Sequence, residues 1–230
     1  MRLPSNRGGL RTYLILLGLL AGHATPLWVA CGTPFVLAGI ALHLWAKGCL
    51  YQELEVTTAG PYRFVRHPFY LANLFLDLGI GIMSGWWLLQ LVLPFWWLAV
   101  YIPTMRREES KMTALFGDRY TAYRNRLPPL IPCRRPLPEP AAGFSWRNRN
   151  LARTEIPRAF NFLCYPLLFL ISYRLHSVGA AVFASPTFLD VLLVAACGGV
   201  YATGRAWRWH FRRHVFGLHW AQPHSGGQRR

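Results

Sequence analysis

Residues 12–46 and 78–105 contain no lysine, arginine, aspartate or glutamate, and apolar residues fill most positions in both stretches. A hydrocarbon core about 30 Å thick needs roughly 20 apolar residues per helix, because each residue rises about 1.5 Å and unpaired backbone polar groups are costly in lipid. Six segments approach that length: 12–26, 34–50, 69–83, 86–103, 159–173 and 187–203. They predict an all-α fold, a polytopic transmembrane helical bundle of about six membrane segments with short cytoplasmic helices. Several segments are short and broken by Gly or Pro, which also admits five spans or a re-entrant first pair.

Composition supports the membrane class, with 53% hydrophobic and 15% aromatic residues against 15% charged. The net charge of +16 asks for an explanation. Nucleic-acid binders interleave basic residues with polar surface, whereas here the cations avoid long stretches, so no nucleic acid is expected. With a cytoplasmic N-terminus, the segments 1–11, 47–68, 104–158 and 204–230 carry 24 of the 25 Lys and Arg residues, and only Arg174 falls outside. That asymmetry is the positive-inside pattern, and it places both termini in the cytoplasm and the basic loops against anionic membrane lipids. Arg2, Arg7 and Arg11 ahead of an apolar run also fit a signal peptide, but the apolar pattern resumes at once, which favours a retained segment. Five scattered cysteines without a C-x-x-C give neither a disulfide framework nor a zinc site.

The clearest boundary is "LPPLIPCRRPLPEPAAG", residues 127–143, whose prolines forbid a continuous helix. It divides the chain into a core at 1–132, a basic proline-rich cytoplasmic linker at 133–158, and two further spans with a basic tail at 159–230. Within the linker, "FSWRNRNLARTEIPR" reads as a solvated strip or an interfacial helix with Trp146 and Leu151 facing lipid and Arg147, Arg149 and Arg153 facing head groups. His210, His214 and His219 near the end lack a carboxylate or cysteine, so a basic-aromatic membrane anchor explains them and no metal is expected.

Polar chemistry concentrates in two clusters that an antiparallel third and fourth segment, joined by the short "SGWW", would bring together. The first is "GPYRFVRHPFYLANLF". Pro68 suits the first position of a helix, where its missing N–H is harmless, which puts His67 at the N-cap. Arg63, His67, Tyr70, Leu74 and Asp77 then share a face, and Asp77 within a span marks a functional or inter-helix contact. The helix N-terminus beside Arg66 offers an anion site. The second cluster, "RREE", places Glu108 and Glu109 at a helix end, where they oppose the dipole unless a cation compensates. Phe116, Tyr120 and Tyr123 follow at helical spacing as an aromatic face. An anion pocket, a cation pocket and aromatics together suit a zwitterionic cofactor with an extra positive centre.

"TTAGPYRFVRHPFYLANLFLDLGIGIMSGWWL" followed by "EESKMTALFGDRYTAYRNRLPPLIP" resembles the isoprenylcysteine carboxyl methyltransferase and phospholipid methyltransferase superfamily of integral membrane enzymes. The resemblance covers about residues 47–132. It implies S-adenosylmethionine as cofactor, with Tyr62, Arg66, His67, Pro68 and Phe69 lining it, Gly60 shaping the turn, and Glu108, with Glu109 beside it, holding the amino group of the methionine part. It also implies methyl transfer to a lipophilic substrate in the bilayer. The residues must then hold nucleophile and methyl carbon about 3–3.5 Å apart. A carboxylate acceptor needs no base, whereas an amine must lose a proton, so His67, with Arg66 beside it, is the candidate catalytic residue. Ala72 and Met112 stand where the family usually has Gly and Leu, and 98 residues follow Pro132, where family members commonly end soon after.

Two other readings fit parts of the pattern. A membrane sterol or steroid reductase using NADPH shares an R-H-P-x-Y element, but its second motif begins Arg-Asp where this chain has Glu108-Glu109, and two acids repel a 2'-phosphate. A non-enzymatic membrane protein would use Arg66 and Glu108 as an inter-helix ion pair.

Overall fold

The computed structural model describes residues 7–50, 55–138, 143–146, 148 and 151–215, with side chains from 11 to 211. Among them the regular elements are all helical: α1 (Arg7–Ala21), α2 (Pro26–Cys49), α3 (Pro68–Met83), α4 (Trp87–Phe116), α5 (Asp118–Arg126), α6 (Ile156–Val178), the one-turn α7 (Ala181–Ala184) and α8 (Phe188–Val215), with a 3-10 turn at Gly60–Arg63 and a π turn at Leu151–Glu155. Pro26–Cys49, Trp87–Phe116, Leu151–Val178 and Phe188–Phe211 are long and apolar enough to cross a membrane, and α1 and α3 are shorter apolar helices. The chain is thus a polytopic helical bundle of an integral membrane protein, and its six apolar helices correspond to the six predicted segments. Leu20, Phe95 and Phe188 are among the large apolar side chains that the bundle leaves on its outside, where lipid replaces water as the solvent.

Of the boundaries that differ from the hydrophobic pattern, two lie at prolines. The second helix starts at Pro26, not Pro34: Thr25 caps it by accepting a hydrogen bond from the Trp28 amide, and Pro26 takes the first helical position. Pro34 lies inside α2, and the hydroxyl of Thr33 before it donates to the Val29 carbonyl at 2.7 Å, one of the local adjustments that let a spanning helix tolerate proline. Likewise α4 does not stop at Pro103 but runs 30 residues through Pro94 and Pro103. At about 1.5 Å per residue it is some 45 Å long, so its last third projects beyond a 30 Å hydrocarbon layer. Glu108 and Glu109 therefore stand within a helix and not at its end, and the dipole argument made for them does not apply.

The tightest pair is α2 against α3, running antiparallel. A Cβ on Gly32 would come within 2.6 Å of the Gly79 carbonyl oxygen, and one on Gly39 within 2.9 Å of the Ala72 carbonyl oxygen. Small residues seven apart on both helices let the backbones approach, which is how helices associate in lipid, where apolar contact alone gives little drive. Ala72, fully buried, belongs to this seam. Asp77 is an inter-helix contact: Arg11 of α1 pairs with it at 2.8 Å and also donates to Asn73 Oδ1 and the Tyr101 hydroxyl, tying α1, α3 and α4 together. The far end of α1 is tied to α6, where Ser172 Oγ donates to the Leu19 carbonyl at 2.6 Å and His176 Nε2 to that of Leu20 at 3.1 Å. Arg174, the basic residue outside the predicted inner segments, pairs at 2.7 Å with Asp190, which also accepts from Thr187 at the start of α8.

The described residues between 144 and 155 do not form a lipid-facing helix. Asn148 donates to the carbonyls of Lys47 and Leu50, closing the C-terminus of α2, Phe144 covers Gly48, and Leu151 is fully buried. Arg147 and Arg149 of the same strip, and the side chains of His214 and His219, lie outside the described residues.

Replacing Gly32 with valine is expected to lower the unfolding temperature in detergent by the equivalent of about 1–3 kcal/mol, the usual cost of overpacking, because the neighbour that must yield is backbone. Gly198→Ala, where an added Cβ meets nothing within 4 Å, is the matched control and should leave that temperature unchanged.

Candidate functional site

The C-terminal end of α2, the N-terminal ends of α3 and α6 and the projecting part of α4 converge at one end of the bundle. The segment before α3 is held there by the proline-rich segment that follows α5. The amides of Arg66 and His67 donate to the carbonyls of Pro128 and Pro129, both at 3.0 Å, and the amide of Cys133 donates to Phe64 at 3.0 Å. Prolines have no N–H to offer but full carbonyl acceptors, so this stretch satisfies the amides next to a helix start without forming a helix itself. His67 is the N-cap of α3, with Pro68 first in the helix. Its amide and that of Arg66 are therefore committed, and Arg63 sits on the preceding 3-10 turn and not on the face of α3. Gly60 opens that turn at φ +55°, and a Cβ there would lie 2.4 Å from Cys49 Sγ. Only glycine fits both the left-handed backbone and the space.

The two acidic residues of α4 take different parts. Glu109 turns inward and accepts from His67 Nε2 at 2.9 Å and from Arg66 Nη2 at 3.2 Å. Glu108 accepts from the Tyr70 hydroxyl at 2.5 Å and is otherwise exposed. The ion pair between the two clusters thus joins Arg66 to Glu109, not to Glu108. After Phe116 the chain reverses at Gly117, φ +52°, and α5 lays Tyr120 and Tyr123 against the same region. The aromatic face is thereby shared by two helices, with the Tyr120 and Tyr123 rings 5.9 Å apart. Tyr123 donates to the Tyr62 carbonyl at 2.9 Å.

These elements enclose a cavity of about 560 Å³, within the size range of small-molecule sites. Tyr62, Arg66, His67, Pro68, Phe69 and Glu108 line it, six of the eight residues predicted to meet a cofactor, whereas Gly60 and Glu109 stand behind the wall as supports. Among the described residues, three buried polar atoms on the cavity lining, Arg66 Nε, Thr57 Oγ1 and His43 Nδ1, have no hydrogen-bond partner. The cavity also contains residues that the sequence reading missed: His43 and Lys47 of α2, Asn73 of α3, Met112 of α4, and Thr154, Glu155 and Arg158 from beyond the proline-rich segment. His43 carried a signal, being an ionisable residue in an otherwise uncharged span. Glu155 carried none, because it sits in a basic strip with no helical period.

Burial sets the protonation of the cavity wall. Desolvation lowers the His67 pKa from its ordinary 6.5, outweighing the carboxylates of Glu109 and Glu108, so the ring is neutral at pH 7 and donates from Nε2. Burial likewise raises Tyr62 well above 10 and Tyr120 to about 12, which keeps both as neutral phenols.

Residues 24–119 match the model of a family described as phospholipid methyltransferase. Over this part of the chain the match agrees with the resemblance to the superfamily that joins the isoprenylcysteine carboxyl and phospholipid methyltransferases. Among characterised proteins, the cobalt-zinc-cadmium resistance protein CzcN of Cupriavidus metallidurans is 29% identical over 129 residues, covering 51% of this chain and 58% of that protein. The nickel-cobalt-cadmium resistance protein NccN of Alcaligenes xylosoxydans xylosoxydans is 26% identical over 130 residues, covering 52% and 60%. The chain therefore spans somewhat under two thirds of the length of the curated relatives it matches. No solved structure matches it significantly.

The lowered His67 pKa gives stability a pH dependence of known sign. An imidazole that protonates near 6.5 when unfolded but lower when folded leaves the unfolded state holding more protons, so its contribution is intact above pH 6.5 and is lost as pH falls below it. Thermal unfolding of the detergent-solubilised protein should show wild type losing stability below pH 6.5 more steeply than His67→Gln, by at most about 1.4 kcal/mol per pH unit, the limit for one proton.

Proposed function

From the phospholipid methyltransferase domain at residues 24–119, we propose that the protein is an S-adenosylmethionine-dependent methyltransferase acting on a lipophilic acceptor at the cytoplasmic face of a membrane. The observation that carries this reading is the single cavity that unites residues some forty positions apart, Tyr62 to Phe69 with Glu108. The lining suits the cofactor in three respects. Glu108, at the exposed rim, has a carboxylate for an ammonium group. Arg66 Nε and Thr57 Oγ1 are buried donors without partners, which suits a carboxylate or hydroxyl. Tyr62, Phe69 and Tyr120 provide aromatic surface for a heterocycle and a sulfonium.

S-adenosylmethionine supplies an electrophilic methyl group on an already good leaving group. The protein is left with binding, alignment and the exclusion of water. Glu109 holds Arg66 and His67 in place from behind, so the side chains at the cavity wall are pre-positioned rather than ordered on binding. Residues of the projecting part of α4 and of the returning α5 wall the site, and Phe69 and Met112 give that wall apolar surface. A lipophilic acceptor would approach from the bilayer end of the cavity. The basic loops around this end of the bundle support a cytoplasmic orientation with both termini on that side. The two relatives are named for metal resistance. For this chain we take methylation of a membrane component, and not metal ligation at the cavity, as the activity to connect with such a role.

Titration of the detergent-solubilised protein with S-adenosylmethionine should give saturable binding, weakened at least tenfold by Arg66→Ala and by Glu108→Ala, while NADPH should not bind. Tight binding of NADPH alone would overturn the proposal, and binding of neither would favour a purely structural role. For orientation, a membrane-impermeant thiol reagent applied to intact cells should label a cysteine placed at exposed Phe183, between α6 and α8, but not the native Cys133, with the other cysteines replaced by serine. The reverse pattern would invert the topology.

A further inference from the structure

A second hollow, of about 390 Å³, opens on a different face of α3 and shares no lining residue with the cavity. Leu71 and Leu74 of α3, Trp97 and Leu98 of α4, and Leu130 and Ile131 of the proline-rich segment line it, with two prolines completing the wall. A stack of rings separates the two spaces: Tyr70 at the cavity, Tyr101 at 5.1 Å from it, and Trp97 a further 5.2 Å on, at the groove.

The groove is formed before anything enters it. Pro128 and Pro129 accept from the amides of Arg66 and His67, and the Cys133 amide donates to Phe64, so the segment between them is anchored at both ends to the chain that starts α3. That segment also suits a place beside hydrocarbon. Unpaired backbone polar groups exclude most non-helical chain from lipid, but three of the five residues from 128 to 132 are prolines with no N–H to satisfy. Ile131 is 79% exposed there and Leu98, across the groove, 44%. Apart from the indole of Trp97 the lining side chains are pure hydrocarbon, which leaves water few partners. The depth is that of lipid chains: Leu71 and Leu74 stand one to two turns inside the start of α3, and Leu98 lies about 16 Å along α4 from Trp87.

Directly beyond the groove the chain turns basic. Arg134 and Arg135 follow within about 11 Å of Pro132, since consecutive Cα atoms are about 3.8 Å apart. Both are exposed, and neither forms an ion pair among the described residues. An anionic headgroup above a chain lying in the groove is therefore within their reach.

We propose that this groove holds one acyl chain of an anionic phospholipid of the surrounding bilayer, with the lipid phosphate on Arg134 and Arg135. The proposal needs the membrane assignment of the fold but not the methyltransferase reading. Two features distinguish such a site from general lipid contact: a recess already shaped for a chain, and cations placed to select the headgroup. The outward face of α8 shows the contrast. Leu192 and Val194 are as exposed there as Leu98 is, but the helix has no lysine or arginine before Arg205.

Native mass spectrometry of the full chain in a mild detergent, titrated with palmitoyl-oleoyl phosphatidylglycerol or phosphatidylcholine, reads the affinity of the first bound lipid. Wild type should take up phosphatidylglycerol at least tenfold more tightly than phosphatidylcholine. Leu98→Trp, which fills the groove from an exposed position, and Ile131→Gln, which removes an apolar wall, should each weaken phosphatidylglycerol binding at least fivefold. Leu192→Trp, an equal change on the outward face of α8, should leave it within twofold. The double variant Arg134→Gln, Arg135→Gln should bring the two lipids within threefold of each other. Equal affinity of wild type for both lipids, or groove variants that bind as wild type does, would overturn the proposal. If a groove variant does not fold, glycerophosphoglycerol, the headgroup without chains, takes its place on wild type: failure to displace the lipid supports the groove, and displacement at the lipid's own concentration overturns it. Passage of labelled methyl from S-adenosylmethionine to the bound phosphatidylglycerol would make the groove part of the acceptor site and overturn the assignment to a resident lipid.

Discussion

The architecture of this site depends on one half-buried carboxylate. Glu109 accepts from both His67 and Arg66, and so fastens the projecting part of α4 to the segment that starts α3. A carboxylate removed from water needs such partners, and a guanidinium with a neutral imidazole donor supplies them. Once that contact is made, Glu108 one residue earlier has to point elsewhere, because adjacent residues on a helix differ by about 100° in direction. It points to the rim of the cavity. The division of labour between two neighbouring acids, one holding the wall and one lining the cavity, follows from helix geometry.

The membrane imposes the remaining constraints. The bundle is assembled by small residues along the α2–α3 seam and by polar contacts that satisfy one another inside it, of which Arg11 with Asp77, Asn73 and Tyr101 is the most extensive. That network ends at His43, which shares Asn73 Oδ1 with Arg11. The group that holds α1, α3 and α4 together is therefore continuous with the wall of the cavity, and it determines which nitrogen of His43 carries the proton. The proline-rich segment after α5 has an equally structural task, since its carbonyls occupy the amides at the start of α3.

Much of this could be read from the residues, and the parts that could not share a cause. The N-cap at His67 with Pro68 following was legible because it depends on a dipeptide. The meeting of "RHPFY" with "RREE" was legible because a short hairpin leaves two helices little choice. Pro34 and Pro103 misled as boundaries, since proline is a reliable breaker only where water or a turn can take up the freed carbonyl, and inside a bundle neighbouring groups do so instead. The contribution of residues 151–158 was invisible, because Glu155 reaches the cavity through a turn docked on the end of α2 by Asn148, a contact about a hundred positions apart in the chain.

The sequence by itself determined the class of protein, the number of apolar helices, the end of the bundle that gathers the charge and six of the residues that line one cavity. Each of these follows from hydrophobic length, local capping and the spacing of a linked pair of motifs. Only the tertiary structure decided which acid meets which cation, that the amides at the start of α3 are already occupied, and that the late segment closes the cavity with a carboxylate beside a histidine. Those outcomes depend on how far a helix continues past the bilayer and on its rotation against its neighbours, quantities that no local stretch of residues encodes.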